Sequence, residues 1–292
     1  ACFVEDTTGW LTASASEATA RPLRTTSSFE RAHSPSGWTS PTMTRQAHPG
    51  ARVAATGGAT TMKAAVCMRY GPPEVLRIEE VERPSPRSRE VLVKVRASTV
   101  NSSDWFIRSG LPDGPPLTRM MMRLLVGFTR PRQPILGLVL AGKVEETGGA
   151  VEGFQADDRV YAFTKFHFGG YAQYACLPET STIGLAPSNV TYEEAAAIPY
   201  GGLLALHYLR KAGIRSGQRV LVYGASGAVG TSALQLAKHF GAEVTAVCGT
   251  PNLELVRSLG ADATIDYTKQ DAPSSGMLYD LVLDSKSLTF FS

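Results

Sequence analysis

Cysteine is scarce in this chain, and its placement excludes more than its number does. Cys2, Cys67, Cys176 and Cys248 are the only four, no two form a C-x-x-C pair, and no histidine stands at ligand spacing beside them. Neither a disulfide framework nor a zinc finger is encoded. Such cysteine usage suits a reducing compartment, and the cytoplasm is the expected location. Missing too is any apolar run near the roughly 20 residues that a membrane span requires. No surplus of one charge exists, since 29 Lys and Arg face 26 Asp and Glu, scattered along 292 residues. A nucleic-acid partner is not expected from that balance. With 43 % hydrophobic and 19 % charged residues, the composition excludes collagen, coiled coil and disorder throughout, and the length suits one or two domains with real cores.

Residues 1–61 stand apart. They are rich in Ser, Thr, Ala and Gly, hold five Arg and no Lys, and keep no sustained period of 2 or 3.6. Such a stretch buries too little apolar surface to offset its ordering entropy, so a disordered N-terminal extension is expected. The alternative is an organelle transit peptide, although Glu5, Asp6, Glu17 and Glu30 break the acid-poor composition of one.

From Met62 the pattern turns β-rich. Strands are expected at 62–70, 75–81, 90–97, 136–146, 158–164 and 171–177, with Val91, Val93 and Val95 on one face of the third and Leu92, Lys94 and Arg96 on the other. Thr191 and Glu194 suggest a capping box opening one helix, and a second helix is expected over 202–211. After that, strands at 219–223, 243–248, 263–266 and 281–283 alternate with helices at 229–240 and 253–259. Alternation of that kind means a parallel sheet with helices packed on it. The domains are thus 62–190, barrel-like, and 191–292, α/β.

The informative segment is Val220 to Gly230, reading V-L-V-Y-G-A-S-G-A-V-G. A buried strand runs into a glycine-rich turn that opens an amphipathic helix, the context a dinucleotide site requires. Gly227 would let backbone approach a pyrophosphate, Gly230 would let the helix close on the strand, and amides at the helix start would face the phosphates. The match to G-x-G-x-x-G is imperfect, because Ala225 takes the first glycine place and Gly224 precedes it. A ligand-free structural turn is the competing account. NAD sites place an acid about 20 residues past this motif to hold the ribose 2′-hydroxyl. That region reads Val247-Cys248-Gly249-Thr250-Pro251-Asn252, without one. Small polar groups leave room for a 2′-phosphate, so NADP(H) is favoured, with Arg257 and Lys269 as supplements.

The ordered motifs Met62-Lys-Ala-Ala-Val, Asn101-Ser-Ser-Asp104, Gly170-Tyr-Ala-Gln-Tyr and Gly224-Ala-Ser-Gly-Ala-Val-Gly resemble the medium-chain dehydrogenase/reductase superfamily. Within it, the likeness is to the zinc-free quinone oxidoreductase branch, the ζ-crystallin-like proteins, over about Met62 to Asp284. The resemblance implies an α/β protein: a GroES-like catalytic domain, then a Rossmann doubly wound parallel sheet, with NADPH and a substrate cleft between them. It implies that Ser226, Gly227, Ala228 and Val229 form the pyrophosphate loop; Gly224 and Gly230, the glycines that bound it, are counted with them as cofactor-binding residues. Gly249 and Thr250 match the adenosine 2′-phosphate region, and Tyr267 matches an aromatic or His position at the same end of the cofactor. Homodimers are common in the resembled family.

Zinc-dependent relatives carry Cys where this chain has Asn101 to Ser103, and Gly-His-Glu where it has Gly137-Leu138-Val139. Without thiolate and imidazole ligands no metal polarises an alcohol. A quinone or enone needs only an aligned nicotinamide and a hydrogen bond to its oxygen. By the resemblance Asn101 is the donor; otherwise it is a turn residue stabilising its own backbone. Phe106, beside Trp105, stands where the family usually has Tyr. Residues 111–134 add a basic apolar segment, expected to cover the substrate entrance, to be a packed surface helix or to touch a membrane. A Rossmann sheet has six strands and about four are readable here, so truncation with an open sheet edge is expected. The expected function is hydride transfer from NADPH to a quinone or α,β-unsaturated carbonyl. The alternative is an NADPH-binding structural or regulatory protein with little turnover. A serine hydrolase centred on Ser226 is disfavoured, because Gly227 follows the serine immediately and breaks G-x-S-x-G.

Overall fold

The computed structural model describes residues 2–5, 11–14, 60–110, 116–270, 277–285 and 289–291. In chain order the elements are β1 Cys2–Glu5, β2 Leu11–Ser14, β3 Thr61–Cys67, β4 Leu76–Glu82, β5 Glu90–Thr99, α1 Ser102–Arg108 and α2 Pro116–Val126. Then come β6 Val139–Thr147, β7 Arg159–Phe163, β8 Tyr174–Pro178, β9 Thr182–Leu185 and α3 Tyr192–Lys211. The α/β part holds β10 Arg219–Tyr223, α4 Ala228–His239, β11 Glu243–Cys248, α5 Leu253–Ser258, β12 Ala263–Asp266, β13 Leu281–Asp284 and β14 Thr289–Phe291.

The first half is built on an antiparallel sheet in the order β2-β1-β5-β6-β7-β9, with β8 also on β5. Its alternation follows from the valines of β5. Val91, Val93 and Val95 are buried against Leu140, Val144, Val160 and Leu177, while Lys94 and Arg96 on the other face stay partly exposed; Leu92, expected on that same face, is 1 % exposed, so the strand is covered on both faces at its start. A register shift between Val95 and Ala97 turns the end of the strand, so that Ala97 joins a second core with Leu136, Leu138 and Val139. Such a bulge re-aims a strand near its end.

The stretch expected to stay unfolded supplies a hairpin. β1 pairs β2 and also adds to β5 through Cys2 against Thr99, Phe3 against Ser98 and Val4 against Ala97. The β-favouring Phe3 and Val4 occupy the edge of β5 past Lys94, where the pairing with β8 stops, and thereby satisfy backbone groups that would otherwise be open. Residues 1, 6–10 and 15–59 of that stretch lie outside the described residues.

The second half is a sheet in the order β12-β11-β10-β13-β14. β10 to β13 are mutually parallel, and β14 returns antiparallel on β13. The expected edge at β13 is therefore paired. α3, α4 and α5 contribute Ala205, Leu209, Val229, Ala233, Ala237 and Val256 to one core over Val220, Val222, Val244 and Leu283.

Two expected helices are one. α3 runs unbroken from Tyr192 to Lys211 with Pro199 inside it. Thr191 and Glu194 close a capping box at its start, and burial holds both ends: Ala195 and Ala196 pack in the first half, Ala205 and Leu209 in the second. Tertiary packing outweighs the roughly 3 kcal/mol that an interior proline costs a helix.

Candidate functional site

The carboxyl ends of β10, β11 and β12 lie side by side, where open α/β sheets hold their ligands. At the end of β10 the chain bends at Gly224, whose φ of 73° suits glycine rather than a residue with a Cβ. The left-handed residue thus falls one position before Ala225, which is fully buried. The amides of Gly224 and Ala225 both donate to the Val247 carbonyl at 3.0 Å, binding the bend to β11. Ser285, just past β13, donates its amide to Tyr223 O at 3.0 Å, and its hydroxyl lies 2.8 and 3.0 Å from the carbonyls of Tyr223 and Gly224.

The glycines of the bend differ in what they do. A Cβ on Gly230 would sit 2.3 Å from Gly224 O and 2.7 Å from Ala225 Cα, so this glycine lets α4 close on the turn. Gly227 has no such reason. It caps α4 with φ −79° and ψ 170°, a conformation open to any residue, and a Cβ there would meet only Gly224 O at 3.4 Å. No side chain caps the helix, and the first intrahelical bond is Thr231 N to Gly227 O at 2.8 Å. The amides of Ala228, Val229 and Gly230 therefore precede the helical ladder, with Gly227 and Ala228 exposed and Ser226 half-buried beside them. That arrangement fits an anion of the pyrophosphate type, by donor chemistry and by the room left at Gly227.

Next to it, Gly249, Thr250 and Tyr267 come together. A Cβ on Gly249 would meet the Tyr267 hydroxyl at 3.3 Å. The Tyr267 ring stacks on Tyr223, centroids 6.4 Å apart at 30°, and remains 43 % exposed. One group here is absent from the sequence expectation. Asp266, in parallel register with Cys248, accepts from Thr250 Oγ1 at 2.5 Å, from Thr268 Oγ1 at 2.7 Å and from Thr268 N at 3.0 Å. Lys269 Nζ stands 3.7 Å away. These hydroxyl bonds, Thr250 first, hold the carboxyl down at about 2. The tip of β11 has no acid of its own, but the neighbouring strand lends one. Arg257, expected as a supplement, instead donates to Thr264 at 2.9 Å.

Asn101 lies in the other half as the N-cap of α1, and its turn role is real. Its carboxamide oxygen accepts from Ser103 N at 2.9 Å and Asp104 N at 3.2 Å, and the Asp104 carboxylate accepts from Asn101 N at 3.1 Å. Its Nδ2 is buried with no acceptor, a state that calls for a partner. Behind it, the buried Asp104 also accepts from Leu138 N at 3.2 Å. Desolvation pushes its carboxyl up to about 6 against the bonds from Asn101, Tyr171 and Leu138. Phe106 is half-buried and Trp105 exposed on the same helix.

A connection between Asn101 and the bend runs through α3. Ser103 Oγ lies 2.8 Å from Tyr200 OH, and the adjacent Gly201 packs so closely that a Cβ would stand 2.2 Å from Ala228 O. Sequence reasoning missed Ser103, Tyr200, Tyr223, Asp266, Thr268 and Ser285. The signal for Asp266 was its place at the tip of a strand parallel to β11; the others are contacts across elements. Among the described residues, no group of three or more His, Cys, Asp or Glu could hold a metal ion.

Residues 87–187 match the alcohol dehydrogenase GroES-like domain, and residues 228–284 match the zinc-binding dehydrogenase family. The chain is 37 % identical over 228 residues to the chloroplastic quinone-oxidoreductase homolog of Spinacia oleracea, covering 74 % of this chain and 65 % of that one. It is 34 % identical over 234 residues to the chloroplastic NADPH-dependent alkenal/one oxidoreductase of Arabidopsis thaliana, covering 77 % and 57 %. It therefore spans less than two thirds of the length of either curated relative. Among solved structures, the quinone oxidoreductase from Coxiella burnetii superposes with a TM-score of 0.67 at 30 % identity, covering 77 % of this chain and 68 % of that one. The paired domain matches, the sheet order and the glycine bend together make this chain a member of the quinone oxidoreductase branch of the medium-chain dehydrogenase/reductase superfamily.

Proposed function

We propose that this chain carries the nucleotide-binding and substrate-orienting residues of a zinc-independent reductase of quinones or α,β-unsaturated carbonyls that uses NADPH. The observation that carries the reading is Gly227, a glycine required neither by its backbone angles nor by its protein neighbours, at an uncapped helix start. A bound nicotinamide nucleotide would supply the hydride. Ser226 and the amides of Ala228, Val229 and Gly230 hold the pyrophosphate, with Gly224 shaping the bend. Tyr267 presents an exposed ring to the adenosine end. Gly249 leaves space at the tip of β11, a strand that carries no acid of its own there, which favours NADP(H) over NAD(H); the ionised Asp266 beside it is the group that opposes a 2′-phosphate. Asn101, its oxygen fixed by α1, offers the unpartnered Nδ2 to the acceptor's carbonyl oxygen. Relatives named as a quinone oxidoreductase and as an NADPH-dependent alkenal/one oxidoreductase support the substrate class. The cytoplasm remains our assignment, with an organelle as the alternative that the chloroplastic relatives support; a homodimer is the proposed assembly.

Fluorescence titration with NADPH and NADH, followed by nucleotide oxidation against a panel of quinones and enones, tests the reading. Tighter NADPH binding with turnover is expected. Tighter NADH binding would overturn the cofactor assignment, and binding without turnover would favour a regulatory or structural role.

A further inference from the structure

α2 has two apolar faces, and only one is used. Met122 and Val126 pack into the first-half core, and Arg123 fastens the helix through Nη2 to Gly110 O at 3.1 Å. Leu117, Met120, Met121, Leu124 and Leu125 recur at i, i+3, i+4, i+7 and i+8 along α2, the spacing of one helical stripe, and Phe128 follows just past the end of the helix. Each of the six is between 54 % and 75 % exposed. A group of six large side chains at that exposure exceeds the scattered single residues a soluble surface normally shows.

The charge of the segment that carries the stripe has one sign. Residues 114–144 contain five Arg or Lys beyond any acid, since no Asp or Glu occurs between Asp113 and Glu145. Arg130 and Arg132 are exposed beside Phe128. Tyr70 OH donates to Gly127 O at 2.7 Å, and Cys67 N donates to Pro134 O at 2.7 Å, which brings exposed Arg69 and Met68 to the same side. Glu74, in the following turn, is the nearest acid in that loop. A symmetric contact between two copies would set Arg130 and Arg132 against themselves, so self-association through this face is opposed by its own charge.

We infer that the α2 face is a docking surface for an anionic lipid bilayer, with the stripe from Leu117 to Phe128 entering the interface and Arg69, Arg130 and Arg132 meeting the headgroups. An apolar stripe rimmed by arginine is the pattern of a helix lying in the plane of a membrane interface. Such docking is separate from spanning, for which no described helix is long and apolar enough.

Co-sedimentation of the 292-residue chain with vesicles tests it. The chain is expected to pellet with phosphatidylcholine vesicles containing about one third phosphatidylserine, and far less with pure phosphatidylcholine or at high salt. Arg130→Gln and Arg132→Gln should each lower partitioning about fivefold. Met121→Gln with Leu125→Gln should abolish it while the circular dichroism melt stays unchanged, because both side chains are solvent-exposed. Failure to bind either vesicle, equal binding to both, binding indifferent to the Met121/Leu125 pair, or concentration-dependent dimerisation lost in that pair would each overturn the inference.

Discussion

Gly227 and Gly230 sit three residues apart and answer to different constraints. The tight approach of Gly224 O to a Cβ at 230, 2.3 Å, makes Gly230→Ala an overpacking change, expected to lower stability by about 1–3 kcal/mol in urea unfolding. Gly227→Ala meets an ordinary contact at 3.4 Å, so its unfolding midpoint should stay within about 0.5 kcal/mol of the parent. Its NADPH affinity should nevertheless fall at least about tenfold, since a methyl would stand where phosphate oxygens approach. Undiminished NADPH binding by Gly227→Ala would remove the main support for the nucleotide site.

Asp104 gives a pH signature. Its carboxyl titrates at about 6 in the fold against an ordinary 3.8, so between those values the native state binds more protons than the unfolded chain. The stability this group contributes is fully present below about 3.8 and is lost as pH rises through about 6. The loss is roughly 3 kcal/mol at this buried position. Asp104→Asn cannot titrate. The stability difference between parent and Asp104→Asn, followed by urea unfolding, should therefore shift against the parent between about pH 4 and about pH 7. A difference flat across that range would contradict the protonation assigned to Asp104.

At the scale of elements, α3 does the joining. Its first turns pack with the sheet of β5 and β6, its last turns lie over β10, and Gly201 between them lets α4 come within a Cβ's exclusion of Ala228 O. Gly201→Val should pry α3 from α4. Because Ala228 belongs to the bend, NADPH affinity should fall together with thermal stability, unlike Gly227→Ala, where they separate. Periodicity and the Thr191–Glu194 pair made most of these elements readable: β11 and β12 match the expected bounds, and α4 differs by one residue at each end. α1 and β9 were not read as elements at all. α1 is only seven residues long and is stabilised by its capping box and its burial, neither of which leaves a repeat in the sequence. The expected division of α3 into two helices fails in the same way, because burial at both ends holds one helix together through Pro199.

For the whole molecule, the two halves meet through side-chain contacts of α3. The Ser103–Tyr200 hydroxyl pair at 2.8 Å is one of them, and a double-mutant cycle of Ser103→Ala with Tyr200→Phe should give a coupling of about 0.5–1.5 kcal/mol. An additive cycle would mean that the pair does not link the halves. Saturating NADPH should raise the melting temperature of the entire chain, with about 2.7 kcal/mol of stabilisation at a hundredfold excess over Kd.

The glycine-rich strand-to-helix turn, the alternating valines of β5 and the change from period 2 to an alternation of strand and helix are local patterns, and the sequence alone determined them. It also determined the glycine bend, because backbone conformation and close packing select residues one at a time along the chain. The lending of Asp266 to the tip of β11, the separation of Gly227 from Gly230 by purpose, and the pairing of β1 with the edge of β5 were decided only by tertiary structure. Each of these depends on atoms far apart in sequence meeting within hydrogen-bond or van der Waals range, a distance that composition and periodicity do not encode.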